Sequence, residues 1–390
     1  MQVYLVGGAV RDRLLDLTVK DKDFVVVGAT PDELLSQGFQ QVGASFPVFL
    51  HPKTHNEYAL ARLERKIGAG HKGFVVNSNQ HVSLEDDLLR RDLTINALAM
   101  PVAGLFDDSI TGGVIDYYGG IKDLQDKKLR HVSPAFAEDP LRVLRVARFY
   151  ARFYSLGFTV DGATEQLMQQ LARSGELQTL SRERLWSEAV RTMQEQHGFA
   201  FWELLWQLDI VAILLPKLAI NWQDELRLQR TFTLLQASYD KPIAYSFAML
   251  VSGFFTAQDT QSIADCATRL AVPKHCQHFA ILVCESYPLF TRPLTAKSIV
   301  PLIERTKAHN DSTTLRLLIV ACYHYLAVYE LQAVILQAVE LTLFEQAIIS
   351  YRRIGMNDID PNLTGQAIGS AILTERLRAI EKLLIITKKD

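Results

Sequence analysis

The 390-residue chain is poor in cysteine, nearly balanced in charge and without long apolar runs, and each shortage excludes something. Its four cysteines, Cys266, Cys276, Cys284 and Cys322, show no C-x-x-C spacing and all fall in the second half. Neither a disulfide frame nor a thiolate zinc site is expected. They read as small buried hydrophobes of a reducing compartment. Lys and Arg number 41 against 43 Asp and Glu, a formal net charge of -2. That balance excludes a polybasic coat whose nucleic-acid affinity comes from bulk charge, though not a local basic surface. With 21 glycines and 13 prolines, the chain is not fibrous or disordered.

The first eight residues, Met1 to Gly8, carry no basic segment and no apolar core of about 7–15 residues, so no signal peptide is expected. The most apolar region, Leu315 to Ser350, is interrupted by His324, Glu330, Gln332, Gln337, Glu340 and Glu345. No run approaches the roughly 18–20 residues that span a bilayer. The expectation is a cytoplasmic protein with no membrane partner. At about 150 residues per domain, the length predicts two to three domains.

Composition changes near residue 135. Before it, short β-branched stretches (Val3–Val6, Phe24–Val27, Val48–Leu50, Tyr58–Ala61 and Val114–Tyr117) alternate with Gly and Asp clusters and read as strands. Ala9–Leu15, Pro31–Ser36 and Leu84–Leu98 read as helices, which together suggest a sheet with helices packed on it. After Pro134 the apolar period becomes three to four residues, and no clear strand is expected beyond Phe158–Val160. The fold class is α+β: a mixed sheet with helices, followed by an all-α remainder.

The densest polar constellation is Gly7-Gly8-Ala9-Val10-Arg11-Asp12, followed by Lys20-Asp21-Lys22-Asp23. A strand running into two glycines and then a helix leaves backbone N–H groups free, which is a phosphate cradle in principle. Arg11, one turn into the helix, offers a planar fork to a polyphosphate. Asp21 and Asp23 are two apart, so on a strand both carboxylates project from one face. Such a pair repels unless a divalent cation neutralises it, and Mg²⁺ accepts one or two carboxylates plus phosphate oxygens. Alone, each motif fits an ordinary surface. In this order, about a dozen residues apart, they form the pattern of a nucleotidyltransferase palm. Glu57 is a possible third carboxylate, with a surface position the plainer reading.

Two further clusters follow. Arg90-Arg91-Asp92-x-Thr94-Ile95-Asn96-Ala97 places a basic pair beside short polar groups, and Arg91 reads as a triphosphate or ribose contact. In Glu138-Asp139-Pro140-x-Arg142-x-x-Arg145, Pro140 suits a first helical turn, and Asp139, Arg142 and Arg145 fall on one helix face. An intrahelical ion pair would explain that spacing. So would base chemistry. Cytosine and adenine each present an amine donor beside a ring-nitrogen acceptor, while guanine and uracil present the reverse. An acceptor-only Asp next to a donor-only Arg therefore matches C and A and mismatches G and U.

With these clusters in order, the chain closely resembles the class II (bacterial-type) CCA-adding tRNA nucleotidyltransferases. The Asp116…Gly119…Asp123-Leu124 turn and, more weakly, Ser181-Arg182-Glu183-Arg184-Leu185-Trp186-x-Glu188 extend the likeness, which is strongest up to about residue 190. The resemblance implies a nucleotidyltransferase head over 1–137, a helical neck over 138–215 that reads the base, a helical body over 216–330 and a tail over 331–390 that contacts tRNA. It implies Asp21 and Asp23 as catalytic Mg²⁺ ligands, and Gly8, Arg11, Arg91, Asp139, Arg142 and Arg145 as nucleotide contacts. The implied substrates are CTP, ATP and tRNA, held by its acceptor and TΨC arms, with no protein partner. Arg182, Arg184, Arg227, Arg230, Lys388 and Lys389 are RNA contacts by charge alone.

Two departures stand out. Where the family usually has Asp-Pro, this chain has Asp116-Tyr117, after an apparent insertion around Ser109–Gly113. The longer members carry a C-terminal HD phosphohydrolase domain, whereas this sequence has no His-Asp dipeptide, so no phosphatase or phosphodiesterase activity is expected. The competing functions are a poly(A) polymerase, which resembles the same head and neck but usually has basic terminal extensions, and an enzyme adding only CC or only A. The Gly-rich basic segment Arg62–Phe74, read as a mobile loop, favours complete CCA synthesis. A catalytically dead RNA-binding protein is a third alternative, opposed by the intact Asp21/Asp23 pair.

Overall fold

The computed structural model describes residues 1–43, 47–66, 74–77, 81–329 and 337–387, and the chain divides into two compact units, Met1–Pro216 and Lys217–Asp390. The first unit opens with β1 (Gln2–Val6), whose apolar residues turn abruptly into α1 (Gly8–Leu14) through Gly7 at φ 68°. There follow β2 (Asp23–Val27), α2 (Pro31–Ser36), β3 (Gln40–Val42), β4 (Val48–Leu50) and β5 (Glu57–Leu60). A small antiparallel pair, β6 (Leu63–Lys66) with β7 (Phe74–Asn77), precedes α3 (Leu84–Leu89). The loop reading of residues 62–74 otherwise falls outside the described residues. Both α2 and α3 begin in capping boxes, Thr30 with Glu33 and Ser83 with Asp86, which satisfy the free N–H groups of the first turn.

Sequence periodicity predicted one helix over 84–98; the structure ends it at Leu89. Asp92 then captures the Leu93 N–H and the Asn96 amide, both at 2.9 Å, and a short 3₁₀ turn leads into a strand, β8 (Leu98–Val102). That strand is buried because it pairs antiparallel with β1, and its other edge takes β9 (Ile115–Asp116). The seven-stranded mixed sheet runs β3-β4-β5-β2-β1-β8-β9, with β2 and β5 parallel and the remaining neighbours antiparallel. Val6, Val25, Ala97 and Ala99 pack on Leu84 and Leu88 of α3 to form a core on one face.

The Asp116-Tyr117 departure is held without proline. Asp116 accepts the N–H groups of Tyr118, Gly120 and Ile121 at 2.9–3.2 Å and so caps α4 (Gly120–Gln125). β10 (Lys128–Leu129) pairs in parallel with β11 (Thr159–Val160), which frame α5 (Leu141–Arg152) in sequence. Then come α6 (Gly162–Arg173), α7 (Arg182–Met193), α8 (Phe199–Gln207) and α9 (Ile210–Leu214), with α5 packed on both α7 and α8.

The second unit is helical: α10 (Pro216–Asn221), α11 (Glu225–Gln236), α12 (Ile243–Leu250), α13 (Thr260–Arg269), α14 (Lys274–Ser286), α15 (Ala296–Arg305), α16 (Thr313–Val328), α17 (Gln337–Arg353) and α18 (Gln366–Thr387). Its apolar faces meet along α12 and α14, and all four cysteines are free and buried. Among the described residues no helix is long and apolar enough to cross a membrane.

One close approach makes the sheet–α4 junction testable. A Cβ on Gly120 would stand 2.3 Å from the Thr94 carbonyl oxygen and 2.9 Å from Leu98 Cδ2, whereas one on Gly162 would meet nothing within 4 Å. Gly120→Ala should destabilise the protein by at least about 2 kcal/mol, because a backbone carbonyl must shift. Gly162→Ala should be neutral or add roughly 0.5 kcal/mol. Thermal melts of the two variants compare them directly, and equal melting temperatures would refute the contrast.

Candidate active site

Alongside the Gly7 turn lies a cleft of about 690 Å³. It gathers every site residue expected from sequence: Gly8, Arg11, Asp21, Asp23, Arg91, Asp139, Arg142 and Arg145 all line it. Ten arginines among the described residues reach it, as do Lys20 and Glu57.

At one edge stand the carboxylates. The strand begins at Asp23, so Asp21 lies outside it, yet both are exposed and line the cleft. Glu57 sits directly across the parallel β2–β5 pair from Asp23. The Asp23 carboxyl is raised above its ordinary value by desolvation, with Asp21 adding like charge and Arg91 opposing. This is the chemistry of a donor pair for a hard divalent ion that completes its shell with other oxygens. Among the described residues no group of three or more His, Cys, Asp or Glu forms a ready-made metal cage.

An arginine lies beside the glycine turn. A Cβ on Gly7 would lie 2.7 Å from Arg91 Nη1, the far end of a flexible side chain; it is the positive φ that calls for glycine here. Arg91 extends from just beyond α3, with Nη2 3.4 Å from Asp87 Oδ2 and Nη1 3.5 Å from the Asn96 carbonyl.

Arg11 behaves otherwise. It is 3% exposed, and its Nε and Nη2 bind Asp12 Oδ1 at 2.8 and 2.7 Å while Nη1 donates to Asn96 Oδ1 at 2.5 Å. Its guanidinium lies 5.2 Å and 5.0 Å from the ring centroids of Phe149 and Phe153. Burial lowers its pKa despite Asp12. The group expected to take a polyphosphate is therefore built into the wall, where it braces α1 against α5.

The base-reading pair is also rearranged. Asp139 is not in the helix: it is extended (φ −120°, ψ 105°), ahead of Pro140 and α5, and so does not share a helix face with Arg142 and Arg145. Its Oδ1 accepts the Leu141 N–H at 3.0 Å, and Arg184 Nη2 on α7 reaches both carboxylate oxygens, at 2.9 and 3.2 Å. Arg184, assigned to RNA by charge alone, is thus a cleft residue. Arg142 is buried and donates to the carbonyls of Ala135 and Arg90 at 2.8 and 2.6 Å. Arg145 donates to Asp92 Oδ2 at 2.7 Å. Farther along α5, Arg148 pairs with buried Glu188 of α7, and Arg152 with Asp12. Of the other charge-based RNA candidates, Arg227 pairs with Asp224, Arg230 lies over the Tyr329 ring, and Lys388 and Lys389 lie outside the described residues.

Sequence reasoning placed Asp12 and Asn96 inside its motifs without giving them a role, and passed over Asp87 and Arg152. The available signal was α5 itself: Arg142, Arg145, Arg148 and Arg152 recur at three to four residues, a cationic stripe along one side of a helix whose other side is apolar.

Residues 3–130 match the family model described as a poly A polymerase head domain, and residues 157–221 one described as a probable RNA and SrmB-binding site of polymerase A. The multifunctional CCA protein of Pasteurella multocida is 58% identical over 219 residues, 56% of this chain and 50% of that protein, so the match spans half of that relative's length. The CCA-adding enzyme of Pseudomonas putida is 42% identical over 396 residues, covering 98% of this chain and 99% of that protein. A solved apo structure of a CCA-adding enzyme shares the fold, with a TM-score of 0.67 at 21% identity over 99% of this chain and 91% of that one.

The Asp92–Arg145 pair gives a pH prediction. Burial works to raise the Asp92 carboxyl, but Arg145, with help from Asn96, outweighs it and holds the group well below the ordinary aspartate range. A folded-state pKa below the unfolded one means stability that is present above pH of about 4 and is lost as pH falls further. Asp92→Asn should cost about 2 kcal/mol at pH 7, short of a fully enclosed pair because Arg145 stays partly exposed. The gap between wild type and variant should narrow below pH of about 4. Urea titrations from pH 7 down to pH 3 measure it, and a gap independent of pH would remove the ion pair as its cause.

Proposed function

The chain belongs to the family of CCA-adding enzymes, and from that premise we propose that it adds CCA to the 3′ end of tRNA, taking CTP and ATP and releasing pyrophosphate. One observation carries the assignment of roles. The Asp21/Asp23 pair, the Gly7–Gly8 turn with Arg91 over it, and Asp139 all open into one cleft. In this reading residues 1–137 form the head, 138–215 the neck, 216–330 the body and 331–390 the tail. A cytoplasmic setting suits a tRNA-directed enzyme.

Membership implies dependence on a divalent metal ion, and the hard carboxylate donors of Asp21 and Asp23 support Mg²⁺ as the ion. Bound there, it would lower the pKa of the tRNA 3′-hydroxyl and offset charge at the leaving oxygens. The chain's own residues supply the rest. Gly8 leaves room and backbone N–H groups for phosphate at the start of α1. Arg91 takes the triphosphate, with Arg11 stiffening the turn behind it. Asp139 accepts the exocyclic amine proton that C and A present beside an unprotonated ring nitrogen, and Arg142 is the donor assigned to that nitrogen. Arg145 holds Asp92 and through it the turn that carries Asn96. Catalysis then rests largely on positioning and on fixed charge. For RNA, contacts to shape and phosphate suit an enzyme that serves every tRNA.

The test is incorporation into tRNA lacking its 3′ end, with CTP, ATP or both, and the product sequenced. CCA is expected; A tails without CTP would mean a poly(A) polymerase, and CC or A alone a partial enzyme. Asp21→Ala and Asp23→Ala should abolish incorporation of both nucleotides with the fold intact. Asp139→Ala should instead erode selection for C and A over U and G by roughly 10- to 100-fold, the scale of one or two misplaced hydrogen bonds. If Asp139→Ala slows all four nucleotides equally, Asp139 is only a helix-start residue and the base-reading role is wrong.

A further inference from the structure

We propose that Asp87 is a positioning residue that aims Arg91 at the nucleotide's triphosphate, an inference that rests on the reading of Arg91 as a nucleotide contact. Asp87, on the inner side of α3, is completely buried. Its Oδ1 accepts Arg90 Nη2 at 2.9 Å and the Arg62 backbone N–H at 3.4 Å, while Oδ2 faces Arg91 Nη2 at 3.4 Å. Burial alone would drive such a carboxyl to its neutral form; Arg90 and Arg91 beside it hold it ionised instead. The charge is thus kept inside the protein, where a lone carboxylate would be costly, and its field acts on two guanidinium groups four and three residues along.

The two arginines at the glycine turn show what this arrangement is for. Every nitrogen of Arg11 is engaged at 2.8 Å or less, and the group is sealed between rings. Arg91 has the opposite character. Its side chain is 21% exposed, its contacts stand at 3.4 and 3.5 Å, and its Nε is without a hydrogen-bond partner. It is held in direction by one buried charge rather than saturated by short bonds, so its fork keeps donors for an incoming anion. The same carboxylate anchors the Arg62 N–H, at the point where the chain leaves β5 for the β6–β7 pair. Asp87 therefore sets the guanidinium at the turn relative to both the sheet and that pair without lining the cleft itself.

Asp87→Asn keeps the shape and loses the charge; Asp87→Glu keeps the charge and moves it by one methylene. Both should raise the KM for CTP about tenfold, with kcat at saturating CTP and the KM for tRNA within about twofold, the signature of lost ground-state nucleotide binding. CTP affinity, titrated calorimetrically without tRNA, should weaken in parallel. In an Arg91→Met background Asp87→Asn should add less than about twofold, because the residue it positions is gone. Additive effects in that cycle, a normal KM in the Glu variant, or tighter CTP binding in the Asn variant would each overturn the proposal. If Arg91→Met itself leaves the KM for CTP unchanged, the nucleotide-contact reading of Arg91 falls first. If Arg91→Met raises it and Asp87→Asn does not, only the positioning role of Asp87 is lost.

Discussion

Guanidinium groups can crowd around one cleft only if negative charge is enclosed among them, and that constraint organises the first unit. Asp12 lies between Arg11 and Arg152, Asp87 between Arg90 and Arg91, and Glu188 between Arg148 and Arg191. Asp92 takes Arg145, and Asp139 takes Arg184. Asp12, Asp87, Asp92 and Glu188 are buried, where a Coulomb interaction is several times stronger than in water and an unpaired charge correspondingly costly. Each acid and its arginine therefore stand or fall together. The pairs also cross the chain: Asp12 and Arg152 are 140 residues apart, and Asp92 and Arg145 are 53.

Those crossings explain why α5 is committed on two sides. Val143, Leu144, Val146 and Ala147 bury its apolar surface, while Arg142, Arg145, Arg148 and Arg152 send their forks to the cleft walls. Phe149 lies between the two sets, with Arg11, Arg145 and Arg148 stacked within 5.7 Å of its ring centre. A helix fixed by packing on one side and by ion pairs on the other cannot slide along its axis without breaking one set. The residue just before it, Asp139, inherits that rigidity.

How far this was legible in sequence follows from the range of the interactions. The turn from β1 into α1 was readable because its determinants, two glycines after a β-branched strand, are local. The acidic pair near 21 and 23 was readable for the same reason. The strand β8 was not. Leu84 to Leu98 has a helical pattern, and what ends the helix is Asp92 capturing the Leu93 N–H and the Asn96 side-chain amide, while what makes the strand is pairing with β1, far earlier in the chain. Asp139 looked helical because spacing says nothing about the turn preceding Pro140. Arg184 looked like a surface cation because its partner is 45 residues away. An arginine's number in the sequence gives its charge; only the fold gives what that charge is spent on.

That distinction sorts the cleft's cations. Arginines bonded at 2.5–2.8 Å by buried partners, such as Arg11 and Arg148, are part of the wall, and a ligand could recruit them only by breaking a charged bond in a desolvated place. Those held at longer range, or with part of their surface in water, can add a partner without losing one. Arg91 meets the condition by its long contacts, and Arg184 by its 27% exposure. One lies by the glycine turn and the other against Asp139, the two places to which the proposed function assigns the phosphates and the base amine. The wall arginines help keep those two points at a fixed separation, since Arg11 reaches Asn96, 85 residues away, and Arg148 reaches Glu188, 40 residues away. In the proposed function such a cleft would select by geometry as well as by charge: its positive field would draw any nucleotide, and the carboxylate of Asp139, held by Arg184, would tell one base from another.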